Sequence, residues 1–219
     1  LYRIRYMTSH PRDFTEELIE TIAASDKVCE HFHLPIQAGS NRILELMNRG
    51  YTREEFIALA GRIRGRIPGA SITTDIIVGF PGETEDDFQD TLDLVEQVQF
   101  DAAFTFLYSP RKGTPAVKMR KQISQDVKKE RMARLVDIQN KITLKHNLPL
   151  ENKVVEVFVE GRSKKVPERW TGRTRTNKIV DFTGVDDQDL TGKLADVLNL
   201  VGTLKRVHKK EEFVPLSRI

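Results

Sequence analysis

Ile72-Thr73-Thr74-Asp75-Ile76-Ile77-Val78-Gly79-Phe80-Pro81-Gly82-Glu83-Thr84 is the stretch on which the fold turns. Its first seven residues, mostly apolar and β-branched, predict a strand over Ile72 to Val78. Two glycines and a proline break that strand, and Thr84-x-x-Asp87 then opens a helix that turns Phe88, Leu92 and Val95 inward. Strand, polar turn and helix in that order form one unit of a parallel sheet with helical crossovers.

The unit recurs on both sides. Upstream, Ile4 to Met7 predicts a strand followed by a helix with Phe14, Leu18, Ile19 and Ile22 on one face. His31 to Gln37 predicts a second strand, leading through Gly39-Ser40 to a short helix bearing Ile43, Leu44 and Met47. A longer helix follows from Thr52, where Thr52-x-x-Glu55 is a capping-box pattern and Phe56, Leu59, Ile63 and Ile67 keep helical spacing. Downstream, Ala102 to Tyr108 predicts a fourth strand, ending in a Ser-Pro-Arg-Lys-Gly-Thr-Pro loop before a basic helix from about Ser124 to His146. Four successive units predict an α/β fold. An open doubly wound sheet and part of a barrel both fit the pattern.

At Pro149 the texture changes: long helical periods give way to short alternating runs separated by Gly, Thr and Asp turns. The reading is therefore two domains, 1–149 and 150–219. The second carries candidate strands Val154 to Glu160, Trp170 to Thr176, Lys178 to Phe182, Gly192 to Val201 and Leu204 to His208, which suit a small antiparallel barrel. The 219 residues, 39% hydrophobic and 31% charged, can bury a core and exclude a disordered or fibrous chain. The net charge of +3 comes from the second part. No run approaches the roughly 18 apolar residues of a membrane span, and Leu1-Tyr2-Arg3-Ile4-Arg5 has no signal-peptide layout, so a soluble, cytoplasmic chain is expected. The chain starts on Leu and enters directly on a strand, which reads as a fragment of something longer.

Ligands of parallel α/β sheets sit at the carboxyl ends of the strands. Three segments there are rich in glycine and polar groups: Gln37-Ala38-Gly39-Ser40, Asp75 through Glu83, and Tyr108 through Thr114. Gly39 and Gly79 would admit a ligand close to the backbone, and Gln37 or Asp75 would suit ribose hydroxyls. The plain alternative is that the glycines only form turns. No Walker phosphate loop and no G-x-G-x-x-G occurs. Cys29, His31 and His33 alternate along one strand, a spacing better explained by packing or hydrogen bonding than by metal, since no second ligand cluster lies nearby. The single cysteine allows no internal disulfide and cannot alone hold an iron–sulfur cluster. The carboxylates of Glu83 to Asp87 sit at a helix start, where capping explains them.

Residues 161–178 hold Arg162, Lys164, Lys165, Arg169, Arg173, Arg175 and Lys178 against one acid, Glu168, with Trp170 among them. Such a tract suits phosphates and a stacked base, or else a solvated face.

Four motifs now carry a resemblance. His33-Leu34-Pro35-Ile36-Gln37-Ala38-Gly39-Ser40, Met47 through Glu55, Thr74 through Thr84 and Tyr108 through Pro115 resemble, in order, the radical S-adenosylmethionine methylthiotransferases. Residues 150–219 resemble the TRAM domain of that family, a small OB-like RNA-binding barrel, and 172–178 together with Arg111 resemble its tRNA-modifying branch. The resemblance implies a partial parallel (β/α) barrel of four strand–helix units. It implies S-adenosylmethionine held by Gln37, Gly39, Ser40, Arg49, Asp75, Gly79 and Tyr108, with Gln37 and Asp75 on the ribose and Arg49 on the methionine carboxylate. It further implies a 5′-deoxyadenosyl radical that takes hydrogen from adenine, and two four-iron four-sulfur clusters in the parent enzyme, neither ligated by this chain, with sulfur and electron donors serving the parent. The RNA partner implied is the anticodon stem-loop of tRNA, gripped by Arg162, Lys164, Lys165, Trp170, Arg173, Arg175 and Lys178, and the expected substrate is isopentenyladenosine. The sibling acting on threonylcarbamoyl-adenosine and a stand-alone tRNA-binding module stay open. The chain alone is expected to release no 5′-deoxyadenosine.

Overall fold

In a computed structural model, residues 1–6, 10–184, 189–199 and 214–215 are described. The first part builds a three-stranded parallel sheet in the order β1 (His31–His33), β2 (Ser71–Val78) and β3 (Ala102–Leu107). Asp75 lies opposite Phe104 and Ile77 opposite Phe106. Helices α1 (Glu16–Ala23), α2 (Asn41–Leu46), α3 (Arg53–Arg66), α4 (Glu85–Val98) and α5 (Gln125–Asn147) complete it. Both capping boxes form: Thr52 and Glu55 exchange side-chain-to-backbone hydrogen bonds at the start of α3, and Thr84 and Asp87 do so at α4.

The two faces of the sheet differ. Ile72, Ile76 and Val78 are wholly buried with Phe32 and pack with Phe56, Phe88 and Phe100 in one core. The opposite face carries His31, His33, Thr73, Asp75, Ile77, Phe104 and Phe106, because alternate residues point to opposite sides. This second face is partly open, with Phe106 52% exposed.

Among the described residues the sheet has three strands where four were expected. Ile4 makes only an isolated parallel bridge to Val28, through Ile4 N–H to the Lys27 carbonyl and Cys29 N–H to the Ile4 carbonyl, and residues 7–9 lie outside the described ones. The second expected strand shortens to three residues; Gln37, at its far end, rejoins β2 through a separate bridge to Ile76.

Residues beyond Asn152 form a five-stranded antiparallel sheet, ordered β6 (Ile179–Phe182), β5 (Trp170–Arg173), β4 (Lys153–Arg162), β7 (Leu194–Asn199), β8 (Val214–Pro215). A register shift between Val159 and Gly161, where Gly161 takes φ 148°, lets β4 bend. A second small core of Val157, Val159, Trp170, Val180, Phe182 and Val197 fills its inner side. The expected strand Leu204 to His208 lies outside the described residues. No helix among the described residues is long and apolar enough to cross a membrane.

Candidate functional site

The carboxyl ends of β1, β2 and β3 lie at one end of the sheet; of the groups expected there, Gln37 follows β1 and Asp75 lies within β2. Gln37 has φ 72°, an uncommon left-handed conformation for a residue with a side chain. Its N–H donates to the Asp75 carbonyl at 2.9 Å and its own carbonyl accepts from Ile77 N–H at 2.9 Å. The strained backbone is thus fixed by β2, while the Gln37 amide group makes no hydrogen bond among the described residues. The Asp75 carboxylate, 28% exposed, lies 3.4 Å from His33 Nε2. His33 Nδ1 and His31 Nε2 each lie 3.0 Å from Thr73 Oγ1, so a polar row His31–Thr73–His33–Asp75 runs along the open face. Arg49 is steered by Tyr51: its Nε donates to the Tyr51 hydroxyl at 3.1 Å, and that hydroxyl in turn meets the carbonyls of Pro35 and Ile36 at 3.0 and 3.1 Å.

Gly39 and Ser40 do a different job here. Gly39 lies against α4 so closely that a Cβ would strike the Thr91 backbone and sit 2.6 Å from the Asp90 carbonyl oxygen, while its N–H donates to Thr91 Oγ1 at 2.9 Å. Gly39→Ala should cost about 1–3 kcal/mol, because backbone cannot yield as a side-chain tip can; an unchanged thermal midpoint would count against it. Ser40 Oγ donates to Asp87 at 2.6 Å. Burial would raise the Asp87 pKa, but hydrogen bonds from Arg42, Ser40 and Thr84 outweigh burial and hold the carboxylate far below the usual range.

Gly79, at φ 77°, has its N–H bonded to Glu83 Oε2 at 2.7 Å, and the stem of Lys128 fills the space a Cβ would need. Lys128 is buried on α5, and its Nζ donates to the Tyr108 carbonyl at 3.0 Å from 5.2 Å off the Tyr108 ring. Lys128 therefore ties the loops after β2 and β3 together. Glu83 also accepts from Arg131 Nη1 at 2.9 Å, in an ion pair almost sealed from water. Sequence reasoning missed Lys128, Arg131, Tyr51 and Thr91. A basic helix gives no sign of which cation turns inward.

The small domain's cations separate into two groups. Arg175 Nε reaches both Glu30 oxygens at 3.0 and 2.9 Å, and its terminal nitrogens meet the carbonyls of Asp26 and Val28. Lys178 Nζ lies 3.3 Å from Asp101 and 2.8 Å from Asn147 Oδ1. Arg173 pairs with Glu160 at 3.0 Å. Trp170 is 4% exposed, with the Arg162 guanidinium 3.9 Å from its ring centroid. Lys164 and Lys165 are exposed, and neither ammonium has a partner among the described residues. Glu30 and Asp101 lie at the amino ends of β1 and β3, so the 174–178 turn docks on the amino end of the sheet. A cavity of about 350 Å³ beside it, lined by Asp101, His146 and Lys178, has its charges already paired.

Cys29 is buried, and among the described residues no three His, Cys, Asp or Glu side chains group as metal ligands. The residues present do not fit an iron–sulfur cluster. Their polar groups toward the carboxyl ends, the Gln37 amide without a hydrogen bond among the described residues, the part-exposed Asp75 carboxylate and the Arg49 guanidinium held by Tyr51, are of the kind that suits a polar organic ligand.

Residues 1–95 match the Radical SAM superfamily model. Through that segment the chain is similar to the radical SAM superfamily. Its fold relative coproporphyrinogen III oxidase from Escherichia coli, titled a radical SAM enzyme, superposes with a TM-score of 0.53 at 14% identity, covering 79% of this chain and 46% of that one. The chain is 62% identical over 197 residues to a protein of Moorella thermoacetica named tRNA-2-methylthio-N(6)-dimethylallyladenosine synthase, covering 90% of this chain and 44% of that protein. Proteins of the same name from Desulforamulus reducens and Carboxydothermus hydrogenoformans are 57% and 53% identical, with 42% and 46% of their lengths covered. The chain spans less than half the length of these curated relatives.

Proposed function

We propose that this chain is part of a radical SAM tRNA methylthiotransferase that adds a methylthio group to N6-dimethylallyladenosine beside the anticodon. The observation that carries the reading is 62% identity across 90% of the chain to a synthase of that name. The chemistry of Gln37, Asp75 and Arg49 supports it. An amide and a carboxylate suit the two ribose hydroxyls, and a guanidinium fork suits the methionine carboxylate. S-adenosylmethionine, when bound, would supply the radical and the methyl group, with iron–sulfur clusters held by other residues of the parent protein and electron and sulfur donors serving it. Tyr108 would offer backbone to the adenine. Gly39, Ser40 and Gly79 would contribute by shaping the loops around it.

Residues 1–149 are read as the carboxyl-terminal part of a radical SAM domain, a partial (β/α) barrel, and 150–219 as a TRAM module for tRNA, working in the cytoplasm. Lys164 and Lys165, exposed and without a partner among the described residues, are the members of the tract best placed for phosphates; Arg162 over Trp170, and Arg173, would support that surface, while Arg175 and Lys178 are engaged with Glu30 and Asp101.

The deciding experiment is nucleoside mass analysis of tRNA from cells carrying the parent gene with Asp75→Ala or Arg49→Ala. The expected result is loss of the 2-methylthio group from N6-dimethylallyladenosine, with threonylcarbamoyl-adenosine derivatives unchanged. Loss on the threonylcarbamoyl nucleoside instead would assign the sibling activity, and wild-type levels of both would remove Asp75 and Arg49 from the site. Isothermal titration of the chain with S-adenosylmethionine should give binding that Asp75→Ala weakens at least about tenfold, the size of one charge-assisted hydrogen bond.

A further inference from the structure

Between Asp101 and Asp126 the chain contains no acid, yet it holds Arg111, Lys112, Lys118, Arg120 and Lys121. All five side chains are exposed, and among the described residues none of their charged groups has a hydrogen bond or ion pair. The contrast is with Arg173, Arg175 and Lys178 of the small domain, each already facing a carboxylate.

The segment is built, and it is anchored beside the site. It leaves the carboxyl end of β3 at Tyr108. Thr114 closes its first turn onto the Arg111 carbonyl through both N–H at 3.1 Å and hydroxyl at 2.8 Å. Ala116 is buried and Met119 packs against the main core. Gln122 Nε2 donates to the carbonyls of Ala116 and Met119 at 3.1 and 3.0 Å. Gly82 N–H donates to the Lys121 carbonyl at 2.7 Å, which fastens the segment to the loop after β2. Five cations without an ion pair among the described residues, on a fixed backbone at the carboxyl end of β3, make a surface for a polyanion, since each phosphate they meet releases condensed counterions.

We propose that residues 109–123 are a phosphate-binding surface that seats the substrate RNA backbone against the carboxyl-end face. This deepens the tRNA reading and rests on it. In this arrangement the RNA lies on the same end of the sheet as the ligand groups, while Arg175 and Lys178 serve to dock the small domain on the other end.

The test is fluorescence anisotropy of an anticodon stem-loop RNA with the full chain across a salt series. Three variants are compared: R111Q/K112Q, K118Q/R120Q/K121Q and all five together. Removing five contacts should lower affinity at least about tenfold near 100 mM salt and flatten the log–log salt slope by about two or more, each contact carrying about 0.7–0.9. Thermal midpoints should stay at the wild-type value, because the replaced charged groups are exposed and make no hydrogen bond or ion pair among the described residues. K164Q/K165Q serves as the comparison within the small domain. A five-fold variant with wild-type affinity and slope overturns the proposal while leaving the methylthiotransferase reading intact. A wild-type chain that ignores RNA but binds S-adenosylmethionine overturns it too, and a chain that binds neither removes the underlying reading as well.

Discussion

Arg131→Met should lower the stability of the folded chain by about 3–5 kcal/mol, the usual consequence of stranding one member of a buried ion pair. Arg131 and Glu83 expose only 6% and 2% of their side chains, so solvent cannot replace what either loses. Arg131 also donates to the Glu83 carbonyl and reaches Glu85, and its guanidinium lies 5.5 Å from the Phe88 ring centroid. Glu83 already has a raised pKa because burial outweighs the hydrogen bond from Gly79 and the charge of Arg131. Without Arg131 that rise grows. A raised folded-state pKa adds stability at low pH and loses it as pH climbs, so the deficit of the variant should be smaller at pH 5 than at pH 7. Pairing Arg131→Met with Glu83→Gln should recover much of the loss, since the stranded charge is gone. Urea unfolding of the two single variants, the double variant and wild type would check this. A double variant that costs the sum of the singles, or an Arg131→Met cost below about 1 kcal/mol, would mean that the pair does not hold the Gly79 loop in place.

That loop illustrates what the sequence could and could not disclose. Thr52 with Glu55 and Thr84 with Asp87 were legible because a capping box is a local device, complete within four residues. The strand over Ile72 to Val78 was legible because its own composition suffices. Ile4 to Met7 has an equally strand-like composition, but a strand also needs a partner, and Ile4 finds only Val28. Gln37 and Asp75 were candidates because topology alone marks the carboxyl ends of such strands as the place for ligands. Gly39 and Ser40 belong to the same motif, yet what they touch is Thr91 and Asp87, about fifty residues on. The cationic tract is the sharpest case. Its charge density was plain, but whether Arg175 faces solvent or Glu30 depends on how two parts of the chain separated by 145 residues come together. Trp170 likewise offered a base-stacking face on paper and fills a core in the fold. The unpaired cations of 109–123 were present in the same sequence, inconspicuous because the acids that balance them lie elsewhere in the first part.

Acidification should reveal His31. It is 6% exposed, and burial, aided by the charges of Arg5, His33 and Arg173 against a smaller opposing effect of Asp101, lowers its pKa to about 4. Nδ1 is buried without a partner among the described residues and Nε2 meets Thr73, so the folded site accommodates the neutral ring. The unfolded chain takes up a proton near the ordinary histidine value of about 6.5, whereas the folded chain resists until about 4. Between those values the unfolded state binds more protons, so stability falls as pH falls, by about 3 kcal/mol in total across the window. Glu83, with its raised pKa, works in the opposite direction, and Asp87, with its lowered pKa, acts only below the window. Both are shared by wild type and a His31→Leu variant, so the difference between the two pH profiles isolates His31. Urea unfolding at several pH values from 7 to 4.5 should show wild type losing about 2 kcal/mol more than His31→Leu. Parallel profiles would mean that the ring is hydrated or already charged in the fold. The polar row from His31 to Asp75 would then lose its neutral starting point at the end of the sheet where the small domain docks.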